Sequence, residues 1–423
     1  MANWKPFRNS DNPLEGVRVL SMEQAAALPF ATRHLADLGA EVIRVQSHKR
    51  GGPGGGIEAD PTRSKRQLAI DLSSPGGPET FLKVASHCDV VAHNFTPRVV
   101  RRFGLDYKSV RGVNPDVIYV SLTGFGTTGP WSDRPLFGPG SEAASGHNLL
   151  IGSPEAWPGR PGTTVYADNT CGLNCAFAII AALEERDRTG RGQHIDISLY
   201  ETSVSQLGAL VAERAFGSAL PERVANRDPA YALHAVFAAR GHDRHVAIAA
   251  RPEQAGALRR ALGVDEATEG AVARAVLALD ADDAVGLLQG SGIAAATVAD
   301  AADQVSDAHL WARGYFGILE RTLPGFEGQH SHAGPPWGGG ADLTMTEPAT
   351  AGADSRAVLR DVAGMSEAEI DALYAAGVVG EMKRAVPAPD SASAGLAAIE
   401  RGELSRVDER FDGWKAAREE AQR

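Results

Sequence analysis

Cysteine is scarce in this sequence, whose 423 residues contain three. Three thiols in a chain of this length do not form a disulfide framework, so we expect a protein of a reducing compartment, the cytoplasm. Long apolar runs are also absent, since none approaches the roughly 18–20 residues that a membrane-spanning helix needs. Residues 1–16 contain no continuous apolar segment of the kind that signal peptides carry. The sequence therefore predicts no membrane partner.

The sequence lacks the two common glycine-rich motifs that bind the phosphates of nucleotide cofactors. The turn at 25–29, between the first predicted strand and helix, has no GxGxxG, which removes the main support for nicotinamide binding. No GxxxxGK[ST] occurs, so ATP-driven chemistry is also unsupported. A formal net charge of -11 argues against general nucleic-acid binding. Cys171 and Cys175 share a helix face, but no set of four ligands with zinc spacing accompanies them, so we predict no metal site.

The chain does contain a regular alternation of strands and helices. A short buried strand at 16–22 precedes a helix that Pro29 opens and Gly39 ends, and a strand at 41–45 follows. Further strands are predicted at 67–72, 89–92 and 116–122. This order predicts an α/β fold whose large domain is Rossmann-like, with a parallel sheet. In such folds ligands bind beyond the carboxyl ends of the strands.

The length of the chain favours two domains, and its 43% of hydrophobic residues suffices for a sizeable core. The pattern changes near residue 225, where two alternating segments at 233–239 and 244–250 predict a hairpin. We therefore divide the chain into four parts. They are the first part of the large, ligand-binding domain at 1–224, a smaller α+β domain at 225–330, a return to the large domain at 331–385, and a linker with a C-terminal helical extension at 386–423.

The stretch at 165–203 combines a helix, a glycine turn and a strand. Its apolar residues recur at helical spacing and predict one buried stripe. The stripe consists of Leu173, Ala176, Phe177, Ile180 and Leu183. Asp168 stands where the N-cap of this helix would be. A carboxylate there either satisfies free backbone amides or acts as a nucleophile in the positive field of the helix end, and the stretch by itself leaves both roles open.

Basic residues gather in three places despite the acidic overall charge. The clusters lie at 48–50, at 63–66, and at Arg98 with 101–102. Each cluster taken alone is more simply explained as a solvated face. All three follow predicted strands, however, and basic residues gathered locally can hold an anionic small molecule.

Eight phrases follow one another along most of the chain. They are LEGVRVL at 14–20, PFATRHLADLGAEVIRV at 29–45, SKRQLAIDL at 64–72, HNFTPRVVRRFGLDY at 93–107, NPDVIYVSLTGFGTTGP at 114–130, TGRGQHIDISLYE at 189–201, SDAHLWARGYF at 306–316 and GPPW at 334–337. Their order and spacing resemble the class III CoA-transferases, the family of carnitine, formyl-CoA and benzylsuccinate CoA-transferases. The resemblance covers about residues 14–380, and the tail beyond Val379 has no counterpart.

This resemblance implies a CoA-transferase with Asp168 as its nucleophile. The nucleophilic aspartate of the family precedes a long helix ending in TGRGQ, and Asp168 holds that position. Attack on an acyl-CoA thioester would give a mixed anhydride, then an aspartyl-CoA thioester, and CoA would pass to a free carboxylic acid without ATP. Coenzyme A is thus expected as part of the substrate, with no tightly bound cofactor. The resemblance also implies an interlocked homodimer.

Six positions match CoA-binding positions of the family. They are Ala26, Ile70, Asn94, Phe95, Arg102 and Phe103. Arg102 matches the arginine that meets the CoA phosphates, a role that suits a guanidinium because it donates in a planar fork. Ile70 and Phe103 are also explained as ordinary core residues, and Asn94 as turn chemistry.

The chain departs from the family pattern at several positions. Gln46, Ser47 and Ser73 replace a glutamate, an arginine and a lysine found in members of the family. The phosphates are therefore expected to rely on Lys49, Arg50, Arg63 or Lys65. An acidic residue common near Pro139 is absent. A glycine-rich lid expected near 225–260 is also missing, which favours an acid larger than oxalate, while the glycine-rich run at 50–56 is expected to be a linker or lid.

Two other functions fit the same fold. Acyl-CoA racemases keep the aspartate but need a second base, a histidine before the central helix, and the equivalent run at 136–139 has none. His147 lies nearby, although a lone histidine is more often structural. A non-catalytic acyl-CoA-binding relative is the other alternative, and an intact Asp168 argues against it. We therefore expect CoA transfer, with the donor and the acceptor acid unassigned.

Overall fold

A six-stranded parallel sheet organises the larger part of the molecule. The computed structural model describes residues 12–49, 59–159, 166–217, 223–322, 328–336, 345–382 and 413–421. The strands of this sheet are β1 Arg18–Met22, β2 Glu41–Gln46, β3 Lys65–Ala69, β4 Val90–His93, β5 Ile118–Thr123 and β6 His194–Ser198. They are ordered β3-β2-β1-β4-β5-β6, and every neighbouring pair is parallel. This order is the Rossmann-like one, which confirms the predicted α/β class.

Helices cover both faces of this sheet, so its central strands are buried. All residues of β4 and β5 are buried, as expected for strands that read as continuous apolar runs. One face packs against a cluster that includes Phe81 and Leu359. The other face packs against a cluster that includes Leu28 and Ile179.

Ten helices are described around this sheet before residue 218. They are α1 Ala27–Asp37, α2 Ala59–Thr62, α3 Gly77–Ala85, α4 Pro97–Arg102, α5 Tyr107–Val113, α6 Gly138–Ser145, α7 His147–Leu150, α8 Tyr166–Thr189, α9 Leu199–Ser205 and α10 Gly208–Ala215. The glycine turn after α8 has a clear steric reason. Gly190 adopts a φ of 71°, and a Cβ at Gly192 would lie 2.2 Å from the carbonyl oxygen of Val117.

A three-stranded antiparallel sheet has a core of its own. Its strands are β7 Leu233–Ala238, β8 His245–Ala250 and β9 Ala294–Thr297, paired in the order β7-β8-β9. The helices α11 Ala255–Leu262, α12 Glu269–Leu277 and α13 Ala281–Gly290 supply buried residues such as Leu258 and Val272 to this core. The elements that follow are α14 Ala301–Val305, α15 Ala308–Ala312, and the antiparallel pair β10 Phe316–Arg321 and β11 Gly328–Ala333.

The chain then returns to the six-stranded sheet. The helices α16 Ser355–Asp361 and α17 Glu367–Ala375 contribute to the same core cluster as Phe81. Asp354 accepts a hydrogen bond from the backbone N–H of Gln67 at 2.7 Å, and Ile70 forms an isolated bridge with Val379. In the last described helix, α18 Gly413–Ala421, Trp414 stacks on Trp311 with 5.8 Å between ring centroids.

Several helices differ from the sequence prediction. Helix α1 begins at Ala27 rather than at Pro29. Helix α6 lies where no helix was predicted. The helical region after β6 is divided into α9 and α10, and the second begins at Gly208, a residue of low helix propensity. The segments at 50–56 and 386–394, for which a lid and linkers were predicted, lie outside the described residues. Among the helices that the structure describes, none has the length and apolar character needed to cross a membrane.

The predicted buried stripe of α8 is wrong for two of its five residues. Leu173 is 41% exposed and Phe177 is 73% exposed. The buried side instead includes Cys171, Cys175 and Ile179. Apolar residues occupy two sides of α8, so their spacing predicts a helix but does not show which side faces the core.

Candidate active site

A cavity of about 230 Å³ opens at the carboxyl ends of β1, β4 and β5. It lies at the point where the strand order reverses, between β1 and β4, which is where ligands bind in sheets of this topology. Gln24, Asn94 and Gly124 line it just beyond the three strands. The start of α1, the segment at 135–137 and Asp168 line its other side. The predicted nucleophile and two predicted CoA contacts, Asn94 and Phe95, therefore lie around one cavity.

Asp168 is the third residue of α8, so it lies inside the first turn and not at the N-cap position. Its side chain is held by other elements. The backbone N–H groups of Ala27 and Gly138 form hydrogen bonds with its carboxylate. Ala27 is the first residue of α1 and Gly138 the first residue of α6. Three helix N-termini thus meet at one carboxylate, and each favours its charged form.

Close packing of α8 on α1 sets this geometry. Gly172 lies one turn after Asp168, and a Cβ at this position would be 2.6 Å from the carbonyl oxygen of Ala27. It would also approach the ring of Phe30 at 3.0 Å. Only a residue without a side chain permits this approach, which brings Asp168 within reach of the N–H of Ala27.

The surroundings of Asp168 oppose its ionisation. The residue is only 6% exposed. Burial, followed by the nearby carboxyl group of Glu142, raises the pKa of Asp168 to about 6, although the N–H groups of Gly138 and Ala27 act in the opposite direction. A carboxylate with a raised pKa in a cavity is typical of a functional site.

Glu142 is the residue that the sequence analysis missed. It lies on α6, has no exposed surface, and accepts a hydrogen bond from the backbone N–H of Ala167 at 3.3 Å. The sequence analysis expected no acidic residue to act near Pro139. Glu142 lies one turn of α6 further along and raises the pKa of Asp168. The available signal was an acidic residue three positions after Pro139, but no helix had been predicted there to carry it toward Asp168.

Asn94 connects two strand ends at the cavity. Its Oδ1 accepts from the backbone N–H of Gln24 at 3.0 Å, and its Nδ2 donates to the carbonyl oxygen of Gln24 at 2.7 Å. The next residue, Ala25, has a φ of 55°, a left-handed conformation that is uncommon for alanine. The side chain of Asn94 therefore holds a strained turn at the rim of the cavity. It forms a turn and lines the cavity, while its contact with CoA stays a prediction.

Phe95 is positioned by a buried histidine. Its backbone N–H donates to Nδ1 of His93 at 3.3 Å, and its side chain packs at the edge of the core and lines the cavity. Burial lowers the pKa of His93 to about 3, so this ring is neutral. Because Nδ1 accepts, Nε2 carries the hydrogen and donates to Ser121, 2.9 Å away.

The other predicted CoA residues lie outside the cavity lining. Ala26 lies between two lining residues, Ala25 and Ala27. Arg102 is exposed at the end of α4, with its guanidinium 5.8 Å from the ring centre of Phe103. Ile70 is buried in the core beside β3, which accords with its alternative reading as a core residue. CoA contacts at these positions stay predictions.

Two residues expected to hold phosphate are unsuitable for it. Arg63 is fully buried and paired with Asp37 at 2.7 Å and with Asp60. Lys65 is fully buried and paired with Glu23 at 2.7 Å. Asp37 and Glu23, which are distant in sequence, and Asp60, which lies three residues before Arg63, neutralise a cluster that the sequence predicted to be a basic surface. Arg50 lies outside the described residues.

The structure also shows where the remaining candidate residues lie. Lys49 is exposed and paired with Asp71. Cys171 and Cys175 are buried free thiols on the inner side of α8. Within the described ranges, no group of three or more histidine, cysteine or acidic residues could hold a metal ion. His147, considered as a racemase base, lies 2.9 Å from the hydroxyl of Ser145 and does not line the cavity.

Comparison with known proteins identifies one family of CoA-transferases. The model of CoA-transferase family III matches residues 14–353. The succinyl-CoA–D-citramalate CoA-transferase of Chloroflexus aurantiacus is 29% identical over 413 residues, which cover 90% of this chain and all of that protein. The β subunit of succinyl-CoA–L-malate CoA-transferase from the same organism is 36% identical over 202 residues, which span 45% of this chain but only half of the subunit.

A solved structure shares the fold as well. The CAIB/BAIF family protein from Brucella suis superimposes with a TM-score of 0.74 and 27% identity, covering 83% of this chain and 99% of that one. The family match spans the cavity, Asp168 and the helices that hold it. The chain belongs to CoA-transferase family III.

Proposed function

We propose that this protein transfers CoA from an acyl-CoA donor to a free carboxylic acid through covalent intermediates on Asp168. The observation that carries the proposal is the placement of this carboxylate. Asp168 lies at the cavity, in a buried setting with a raised pKa, and two backbone N–H groups fix its orientation. A fixed, poorly solvated carboxylate at a strand-end cavity is suited to nucleophilic attack.

The first half of the reaction loads CoA onto the enzyme. A carboxylate oxygen of Asp168 attacks the thioester carbon of the donor, the carbon–sulfur bond breaks, and CoA leaves as the thiolate. The product is a mixed anhydride between Asp168 and the donor acid. The thiolate then attacks the aspartyl carbonyl carbon, and the donor acid leaves as a carboxylate. Asp168 is left as a CoA thioester.

The second half reverses these steps with the acceptor. The carboxylate of the acceptor acid attacks the aspartyl thioester and releases the CoA thiolate, which gives a second anhydride. Attack of the thiolate on the acceptor carbonyl then forms the new acyl-CoA and restores the Asp168 carboxylate. No proton, water or ATP is consumed, because one thioester replaces another.

The N–H groups of Ala27 and Gly138 have two roles in this reaction. In the resting enzyme they hold the carboxylate. When the aspartyl carbonyl carbon becomes tetrahedral, negative charge develops on the oxygen that these groups face. Donors placed in advance at such an oxygen lower the barrier of acyl transfer.

The homodimer and the cytoplasmic location belong to this proposal. Leu173 and Phe177 form an exposed apolar stripe on α8, the helix that carries Asp168. A second copy that covers this stripe would bury it next to the active site, as expected for an interlocked homodimer. Sedimentation of the protein should give twice the mass of the chain, and a monomer would contradict the assembly but not the chemistry. The three buried free cysteines fit a reducing compartment.

The decisive experiment is transfer of CoA without ATP, with the wild type and Asp168→Asn compared. We expect hydroxylamine to trap an adduct on Asp168 of the wild type after incubation with acyl-CoA, and we expect both the adduct and the transfer to be lost in the variant. Asparagine has nearly the same shape, so a cooperative thermal unfolding transition at or above the wild-type midpoint would exclude misfolding. Transfer by Asp168→Asn at the wild-type rate would refute the proposal.

A further inference from the structure

We infer that the acid end of the cavity accepts a monocarboxylic acid with an apolar tail, aliphatic or aromatic, and not a dicarboxylic acid. This inference rests on the proposed function and names the substrate class of the same site. It differs from what the names of the relatives say about those proteins. Malate and citramalate, the acids named for the two Chloroflexus enzymes, each carry two carboxylates.

Part of the cavity wall is apolar. It is formed by Val99, Leu122, Pro135, Leu136, Phe137 and Leu199, while Gln24, Asn94, Thr96 and Thr123 supply polar groups to the same lining. Phe137 directly precedes Gly138, whose N–H is bonded to Asp168, and both Phe137 and Asp168 line the cavity. Phe137 is 67% exposed in the chain alone. An apolar acyl tail that covered it would be stabilised by the removal of both surfaces from water.

The position of this wall is fixed by close packing. A Cβ at Gly124 would lie 2.5 Å from Cβ of Leu136, and a Cβ at Gly140 would lie 2.9 Å from its Cδ1. Leu136 is therefore seated between two glycines, one after β5 and one in α6. Phe137 follows Leu136 directly, so its backbone is held by this packing. A residue that determines specificity needs such a fixed backbone.

The charges around the cavity disfavour a second anionic group. Among the described residues that line it, Asp168 alone is charged, and the carboxyl group of Glu142 is buried behind it. A distal carboxylate would lose its hydration against apolar side chains, which is costly without a partner. It would also be repelled by these two acidic residues.

Two cations close in sequence to this wall are engaged with neighbouring side chains. The guanidinium of Arg134 lies over the ring of Trp131, 5.4 Å from its centre. Arg101 is paired with Asp133 at 3.2 Å. Neither Arg134 nor Arg101 is among the residues that line the cavity.

The test compares acids of equal chain length that differ only in the second carboxylate. Transfer from acetyl-CoA would be measured for butyrate against succinate and for pentanoate against glutarate, with phenylacetate as an aromatic acid. We expect the kcat/KM for each monocarboxylate to exceed that of its dicarboxylate partner by about tenfold or more. Equal values, or a preference for the dicarboxylates, would overturn the inference while leaving the CoA-transferase function intact.

Two variants of Phe137 test whether this side chain sets the preference. Phe137→Arg places a cation beside the acid, and the exposed position should tolerate it without loss of folding. We expect it to shift the ratio of kcat/KM values toward the dicarboxylates by about tenfold. Phe137→Leu, the matched control, should leave the ratio near the wild-type value. An unchanged ratio in Phe137→Arg would show that the acid binds away from this wall and would overturn the assignment.

The same assays separate failure of the inference from failure of the function. Asp168→Asn, run with every acid pair, should abolish all transfer. If this variant transfers CoA like the wild type, or if the wild type transfers to none of the acids from either acetyl-CoA or succinyl-CoA, the proposed function itself fails. Circular dichroism and thermal unfolding of each variant would establish that it is folded.

Discussion

Two buried carboxylates close to the end of β1 have pKa values that their surroundings shift in opposite directions. Glu23 has no exposed side-chain surface and is paired with Lys65 at 2.7 Å, with further hydrogen bonds from Thr32 and Ser21. Burial would raise the pKa of Glu23, but Lys65 and Arg44 outweigh this and lower it below the usual value. Asp168 is almost as buried, yet its charged neighbour is another acid, and its pKa rises to about 6.

The difference fits a structural role for Glu23 and the proposed nucleophilic role for Asp168. Glu23 is compensated in the folded chain and so contributes to holding α1 against β3. Asp168 is only partly compensated, by N–H groups and not by a cation, so its charge is costly at neutral pH and available to react. Natural proteins accept such a cost at functional sites, where it is offset by the stability of the rest of the fold.

The strongest test of this contrast is Asp168→Asn, which should inactivate and stabilise the protein together. We expect transfer to fall about 10³-fold or more, because no nucleophile remains. The pKa of Asp168 is raised in the folded state, from 3.8 to about 6, so its ionisation costs folding free energy as the pH rises through this range. At about 1.4 kcal/mol per unit, the cost above pH 6 is on the order of 3 kcal/mol.

The measurement is the free energy of unfolding at pH 4 and at pH 8. Relative to the wild type, Asp168→Asn should gain stability between these two values, by about 1–3 kcal/mol. A stability difference that does not change with pH, or that falls as the pH rises, would show that Asp168 is compensated like Glu23.

Lys65→Met tests the other carboxylate. It keeps the length of the side chain but leaves Glu23 buried without its main partner. Loss of one member of a buried pair typically costs about 3–5 kcal/mol, and we expect a loss of this size in urea unfolding. The double variant Glu23→Leu with Lys65→Met should recover part of it, because the buried carboxylate is removed, while Arg44 loses its ion pair with Glu23. If the single variant is as stable as the wild type, the pair contributes nothing and the contrast fails.

The sequence was sufficient for the sheet but not for the contrast between the two acids. Strands and helices were predictable because their patterns are local, whereas the role of Asp168 was inferred from its place before TGRGQ and stays a proposal. Lys65 and Arg63 were taken for a basic surface because Glu23 and Asp37 reach them only in the folded chain. Glu142 escaped for the same reason, since its proximity to Asp168 depends on how α6 packs on α8.

Gly172→Ala tests the helix packing that brings Asp168 to the N–H of Ala27. The added Cβ would lie 2.6 Å from the carbonyl oxygen of Ala27, so α8 must move away from α1 and weaken the N–H contact to Asp168. We expect a loss of stability of about 1–3 kcal/mol and a lower kcat. Gly286→Ala is the matched control, because Gly286 lies within α13 with open space around it, and there the change should stabilise the helix by about 0.5–1 kcal/mol. Equal effects of the two substitutions would contradict close packing at Gly172.

The smallest expected effect is a shift of the pH profile in Glu142→Gln. The rate should rise with pH as Asp168 ionises near 6, because only its carboxylate attacks the thioester. Glutamine keeps an oxygen for the N–H of Ala167 but removes the negative charge that helps to raise the pKa of Asp168. The acid limb of the kcat/KM profile should therefore move to lower pH, by about one unit or less, with little change in the plateau. A limb that stays in place would assign the raised pKa to burial alone, and one that moves to higher pH would mean that Glu142 stabilises the Asp168 carboxylate, as Lys65 stabilises Glu23.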